Sequence, residues 1–359
     1  MNGNELNIGR MPVVIRRPTI TDVAKLCGVT PATVSRVLNA KGGFSTSDAV
    51  REKILETARK VGYVPDLAAR NLNRQSTHII GVFASPRTHI AEGINESLLE
   101  GIAGVLHPAG YDVFFELSPL NDIDHALPFW RFDGAILMQA PKPETVAELD
   151  SRHVPYVCVN ERVGRPVAHV LADDKMGTNR VLDHLAQLGH KRIAYANARG
   201  TYFSHYSVGE RYDTLIAGAK KRGLTLVAGH DQPFDAAEDF LNESVKSNRA
   251  TAVITYDHHI AVVLVGAVYA MGLRIPDDFS LVCFNDVFPI ALLPPPLTAV
   301  KVSGHEMGRV GAELLLNSLA SKKTGPSKEI RVPEDLVVRG STAPPSAAQT
   351  TNRTAELSS

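Results

Sequence analysis

The sequence predicts an all-α head of the helix-turn-helix type followed by an α/β body built on parallel sheets. Three observations carry that expectation. Residues 18–62 hold three short helical periodicities punctuated by Gly28 and Gly62. From about residue 76, short apolar runs alternate with longer helical ones, the signature of strands joined by crossover helices. Charge divides at the same place: residues 1–75 carry 12 Lys+Arg against 6 Asp+Glu, leaving 26 against 32 in the remainder of a chain whose 38 basic and 38 acidic residues cancel. A basic head on an acidic body concentrates counterion-releasing charge at one end of the chain.

In the head, Thr19 stands at the N-cap of a first helix with Asp22 as its capping-box partner, and Ile20, Val23, Ala24 and Leu26 supply the apolar spacing. Gly28 permits the sharp turn that follows. Thr30 caps a second helix, Pro31 takes the first helical position where its missing N–H costs nothing, and Val34, Val37 and Leu38 turn inward. Pro31, Ala32, Ser35, Arg36 and Asn39 remain for the outer face. With the start of this helix in a major groove, Arg36 comes within reach of a guanine edge, and Thr30, Thr33 and Ser35 approach phosphates. A third amphipathic helix over 45–62 has Val50, Ile54, Leu55, Ala58 and Val61 as its apolar set and Gly62 as its stop. Pro65 and Asp66 then open a helix of barely two turns, too short to stand alone. It needs a partner surface, and DNA is one candidate.

Through TITDVAKLCGVTPATVSRVLN and GYVPDLAARNL, residues 18–74 resemble the DNA-binding region of the lactose/galactose repressor (LacI/GalR) family of bacterial transcriptional regulators. The resemblance implies a helix-turn-helix domain over 18–62, preceded by a flexible extension over 1–17 and followed by a hinge helix and linker over 63–75 that order on an operator. It also implies that Leu72, with Ala69 beside it, wedges into a minor-groove base step, the unstacking cost being offset by contacts the bent duplex permits. Two departures stand out: the loop at 40–47 is longer than is usual there, and Val50 replaces a phosphate-binding threonine.

For the body, strands are expected at 78–84, 111–117, 133–138, 155–159, 192–196, 251–255 and 279–284, with helices over 94–107, 142–152, 176–189, 207–222 and 258–271. No G-x-G-x-x-G follows any of these strands, which disfavours a dinucleotide fold. LAQLGHKRIA, GER and GLRIPDDFSLV extend the resemblance to about residue 341. It implies an effector-binding body over 76–341 like the periplasmic sugar-binding proteins, two lobes joined by three crossovers near 158–162, 286–294 and 322–328. The N-terminal lobe is then about 76–158 plus 291–322, and the C-terminal lobe about 159–290 plus 323–341. Residues 342–359 read as a disordered tail without a leucine heptad. The stretch 258–271 is apolar nearly all round, which fits both a dimer contact and the monomer core.

Between two such lobes, at the carboxyl ends of the strands, a small polar molecule binds. The resemblance sets Arg211 against effector oxygens, where its planar fork suits paired hydroxyls or a carboxylate. It sets Asn285 where the family has aspartate, and Asn95, Asn160, His205, Ser207 and Tyr256 at neighbouring loop ends. Because Cys283, Asn285 and Tyr256 replace the usual glycine, aspartate and asparagine, no particular effector carries over, and a sugar or sugar derivative is the expectation.

The sequence as a whole therefore predicts a transcriptional regulator, a repressor, that acts as a homodimer on a pseudo-palindromic double-stranded DNA operator under allosteric control by that effector. The alternative is a cytoplasmic small-molecule receptor whose N-terminal helices are an interaction module. No nucleophile elbow, phosphate loop or metal-ligand spacing is present, so neither enzyme activity, cofactor nor metal is expected. Cys27, Cys158 and Cys283 are scattered and read as reduced, buried thiols. No apolar run approaches the roughly 18 residues of a membrane span, and no secretory h-region opens the chain. A cytoplasmic location with no membrane contact is the expectation.

Overall fold

The computed structural model describes residues 18–39, 46–63, 76–84, 93–117, 132–138, 143–198, 205–321 and 326–346. They fall into two units, Met1–Thr77 and His78–Ser359.

The first unit is helical: α1 (Ile20–Cys27), α2 (Pro31–Asn39) and α3 (Asp48–Val61). The capping box forms as the sequence requires, with the Thr19 side chain accepting from the Asp22 amide while the Asp22 carboxylate accepts from the Thr19 amide. Gly28 ends α1 in the left-handed region at φ 71°, where a Cβ would be strained. Val23, Ala24, Cys27, Val34, Val37, Ile54 and Ala58 make the core. Leu26 departs from the expected apolar face: it is 60% exposed, and Cys27 takes the inward position instead, its thiol donating to the Lys53 carbonyl of α3 at 3.7 Å. Leu55 is likewise exposed, since a core this small accommodates only one stripe of α3. The short helix expected after Tyr63, with Ala69 and Leu72, lies outside the described residues, as do 1–17 and 40–45.

The second unit holds two six-stranded sheets. In the first, β1 (Ile79–Ala84), β2 (Asp112–Leu117), β3 (Gly134–Met138), β4 (Tyr156–Val159), β5 (Ala168–Ala172) and β11 (Lys328–Val332) run parallel in the order β2-β1-β3-β4-β5-β11. The helices of this lobe are α4 (Ile94–Leu106), α5 (Pro143–Ser151) and α10 (Gly304–Ser321). In the second sheet, β7 (Thr225–Leu226), β6 (Arg192–Ala196), β8 (Ala252–Thr255), β9 (Ser280–Phe284) and β10 (Thr298–Lys301) are parallel, and β12 (Asp335–Val337) closes the edge antiparallel to β10. Its helices are α6 (Asp174–Gln187), α7 (Tyr206–Lys221), α8 (Ala237–Leu241) and α9 (His258–Ala270). Central strands are covered on both faces, which is why GAILM, YVCV and AVIT read as unbroken apolar runs.

The lobe limits differ from those expected. Each crossover falls one strand later in the chain, between β5 and α6, between β10 and α10, and between β11 and β12. The cause is local: β5 (AHVLA), β10 (TAVK) and β11 (KEIRV) are short, and polar residues interrupt their apolar character, so none stands out as a strand. Sheet pairing returns 168–172 and 328–332 to the first lobe and 298–301 to the second. The tail also begins docked, because Ala343 exchanges hydrogen bonds with the Ser280 hydroxyl and Thr342 meets His184 and Thr298. On α9, Ile260, Ala261, Leu264, Ala267 and Val268 are buried in the second lobe, whereas Val263 and Tyr269 are exposed.

Helices α4 and α10 cross with their backbones almost in contact. A Cβ built on Gly304 would lie 2.8 Å from the Ile94 carbonyl oxygen, one on Gly308 would overlap the Leu98 carbonyl, and one on Gly101 would overlap the His305 carbonyl. Gly308→Ala is therefore expected to force the helices apart and to lower stability by about 1–3 kcal/mol, read as a shifted denaturant midpoint at unchanged m-value.

Candidate functional site

The outward surface of α2 is the candidate contact face of the head. Pro31, Ala32 and Arg36 are exposed, Thr33 and Ser35 are half-buried, and Asn39 ends the helix. Thr30 caps α2 as expected, its hydroxyl accepting from the Thr33 amide at 3.2 Å and meeting the Thr33 hydroxyl at 2.9 Å. Thr19 is exposed, with its hydroxyl donating to Asp22 at 2.7 Å. Both hydroxyls thus serve first as helix caps.

In the body, the residues expected at the cleft come from the carboxyl ends of strands. Asn160 follows β4 and Asn285 follows β9, both in the left-handed region at φ 56° and 71°, which asparagine tolerates better than most side chains. Tyr256 follows β8, while His205 and Ser207 open α7. Four of these residues form one hydrogen-bonded chain. His205 Nε2 faces the Asn160 carbonyl at 2.9 Å and so carries the ring proton. Nδ1 is then the acceptor, taking the Ser207 amide and, at 2.7 Å, its hydroxyl, which leaves Ser207 Oγ to accept from the Tyr256 hydroxyl at 2.9 Å. Tyr206, which sequence reasoning missed, joins the chain by accepting from the Ala172 amide and donating to Asn160 Oδ1 at 3.1 Å. Because Asn160 and Ala172 belong to the first lobe and α7 to the second, the chain spans both. Asn285 stands apart, its amide 3.5 Å from His258 Nδ1, and Asn95 is buried in the first turn of α4.

Arg211 lies on α7, in the same helix as Ser207. It is buried, and its fork is turned on the protein: Nε donates to Asp174 Oδ1 at 2.5 Å, Nη1 to the Tyr256 carbonyl at 2.7 Å, and Nη2 lies 3.9 Å from Glu334 Oε1. The guanidinium also sits over the Phe284 and Tyr256 rings, 4.1 and 5.1 Å from their centroids. Burial alone would weaken its hold on the proton, but Asp174 and Glu334 more than compensate. Glu334 is fully buried between β11 and β12, and no protein partner bonds either of its oxygens. Desolvation, reinforced by the charge of Asp174 and opposed by Arg211, pushes its carboxyl up to about 8. Asp174 and Glu334 left no sequence signal, because each is one of two adjacent acids in a polar junction, which reads as an ordinary solvated turn.

Residues 19–66 match the family described as bacterial regulatory proteins, lacI family, and residues 182–342 match the periplasmic binding protein-like domain. Residues 19–66 thus form a helix-turn-helix domain of the lacI family. The chain is 28% identical over 331 residues to the probable HTH-type transcriptional repressor ExuR of Bacillus subtilis, covering 89% of this chain and 97% of that protein. It is 28% identical over 339 residues to the HTH-type transcriptional regulator CelR of Thermobifida fusca, covering 91% and 98%. Among solved structures, a transcriptional regulator CelR–cellobiose complex superposes with a TM-score of 0.64 at 25% identity, over 91% of this chain and 100% of that one. The lac repressor dimer bound to operator and the anti-inducer ONPF shares the fold, with a TM-score of 0.76 at 21% identity over 91% and 100%. Among the described residues, no helix is long and apolar enough to cross a membrane.

Two stability predictions follow from the buried charges. Arg211→Ala strands Asp174 without its partner and is expected to cost about 3–5 kcal/mol of unfolding free energy, checked by chemical denaturation. Folding raises Glu334 from 4.5 to about 8, so the native state keeps a proton that the unfolded chain releases, and stability is lost as pH rises through that interval. Glu334→Gln should flatten the decline in melting temperature over the same interval, and the gap between the two proteins should be greatest at its alkaline end.

Proposed function

We propose that this chain is a sequence-specific transcriptional repressor whose affinity for a pseudo-palindromic operator is set by a small polar, sugar-like effector held between the two lobes of its body. The observation that carries the reading is the capped helix pair α1–α2, which commits its apolar side chains to a private core and leaves Pro31, Ala32 and Arg36 outward at the start and middle of the second helix. Such a helix is shaped to enter a major groove, with Arg36 as the side chain long enough and forked enough to read a guanine edge. Thr33, Ser35 and Asn39 lie on or beside the same surface, with Thr19 and Thr30 at the helix starts that approach phosphates. The hinge segment at 63–75, with Ala69 and Leu72, orders on the duplex and supplies the minor-groove wedge.

The body supplies the regulated part. Asn160, His205, Ser207, Tyr256 and Asn285 offer amide, imidazole and hydroxyl groups at strand ends, a donor and acceptor set suited to sugar hydroxyls. A CelR relative superposes as a complex with cellobiose, which supports the effector class. Arg211 enters indirectly, by fixing Asp174 and the Tyr256 carbonyl, and Asn95 stands at the end of α4 nearest the carboxyl end of β1. Two copies place two heads on two half-sites. The exposed side chains Val263 and Tyr269 of α9, with Phe288 and Leu292 in the loop after β9, give the second lobe apolar surface for that pairing.

Selection of bound duplexes from a random pool tests the reading, since the protein should enrich a two-fold symmetric site. Arg36→Ala should relax one base position in each half-site, a loss of roughly 1–3 kcal/mol in discrimination with phosphate-driven binding retained. Enrichment of no site, or the same preference in the variant, would count against it.

A further inference from the structure

Glu210 lies one turn into α7, in the second lobe, yet its carboxylate is bonded to the first. Arg331 of β11 grips it with both terminal nitrogens, Nη1 to Oε2 and Nη2 to Oε1, each at 2.6 Å, and Arg162 from the loop between β4 and β5 reaches Oε1 at 3.3 Å. Within the first lobe, Glu329 takes a bond from each arginine, 2.8 Å from Arg162 Nη2 and 2.8 Å from Arg331 Nε. The Tyr206 ring lies against both guanidiniums, whose carbons are 5.8 and 5.9 Å from its centroid.

We infer that Glu210 is an ionic latch holding the two lobes together, so that the spread between them responds to ionic strength. Three features support a latch over a fixed strut. The grip is bidentate and charge-assisted, the strongest form such a bond takes. It is also reversible at low cost: if the lobes part, Arg162 and Arg331 keep Glu329 as a partner and Glu210 passes into water, leaving no buried charge stranded. The Arg211–Asp174 pair has no such freedom, because both residues belong to the second lobe and stay buried together. Finally, the network is open to screening, with the Arg162 and Glu329 side chains 42% and 43% exposed while Glu210 is 14% exposed. The bonds from Tyr206 and His205 to Asn160 lie beside the latch on the same helix, so releasing Glu210 loosens the anchor point that also orders the proposed effector residues.

The inference stands on the body alone and is testable without an effector. Nitroxide labels at Glu144→Cys in the first lobe and Lys246→Cys in the second, both exposed, report the distance between lobes in the full chain, with labelled protein diluted into excess unlabelled protein. At low salt, Glu210→Gln and Arg331→Gln should each raise the ratio of open to closed molecules by roughly fivefold, the population change that about 1 kcal/mol supplies. The double variant should open no further than either single one. Raising the salt should move the unsubstituted protein toward Glu210→Gln and leave Glu210→Gln where it is, while Arg331→Gln, which keeps the Arg162–Glu210 contact, should retain a smaller response. Glu210→Asp, which keeps the charge but withdraws one methylene, should show the same change in smaller measure and serves if Glu210→Gln fails to fold. Identical distance distributions for Glu210→Gln and the unsubstituted protein at low salt would overturn the inference, as would undiminished salt sensitivity in the variant.

Discussion

A guanidinium taken out of water has to be surrounded by acceptors, and in this body that requirement governs the region where the lobes join. Arg211 answers it with a carboxylate from the start of α6, the carbonyl that follows β8, and two aromatic faces. Those partners come from separate elements of the second lobe, so one charge fixes where α6 leaves the first crossover and where the strand β8 ends. Glu334, on the third crossover, is drawn into the same cluster, where burial first and the charge of Asp174 second hold its carboxyl well above the usual carboxylate range. The hydroxyl and imidazole chain from Tyr256 to Asn160 rests on this base. The residues proposed to face an effector are therefore held by the buried charges beneath them.

The head obeys a different economy. Its core is only seven buried side chains, so helix ends matter as much as packing, and the capping box at Thr19, the Thr30 cap and the left-handed Gly28 each satisfy groups that a core this small cannot shield. Because the threonines are already committed to the backbone of their own helices, the proposed reading of a base edge rests on the exposed Arg36.

Much of this was legible in the sequence, and the reasons are specific. Capping residues, turn glycines and helical spacing are local, so α1 and α2 appear at their expected bounds and α3 starts three residues later than expected, and the long apolar strands of both sheets announce themselves. Leu26 and Leu55 misled because composition marks a residue as apolar without saying which of two adjacent positions a three-helix core admits. The short strands β5, β10 and β11 are recognised only by their neighbours in the sheet, and missing them displaced all three crossovers. Arg211 was singled out from the resemblance, but its burial depends on Asp174, more than thirty residues away, and on Glu334, more than a hundred away, and no local pattern records either encounter. Tyr206 was not singled out, and Glu210 only as part of the GER motif, for the same reason.

The glycine crossing of α4 and α10 bears on what a two-lobed sensor can do. Where two helices touch backbone to backbone, no side chain is available to swing aside, and the layer they cover has no soft mode of its own. A rigid first lobe joined to the second by three crossovers has its freedom concentrated in those crossovers, so under the proposed regulation a signal would change the tilt between the lobes and not the shape of either.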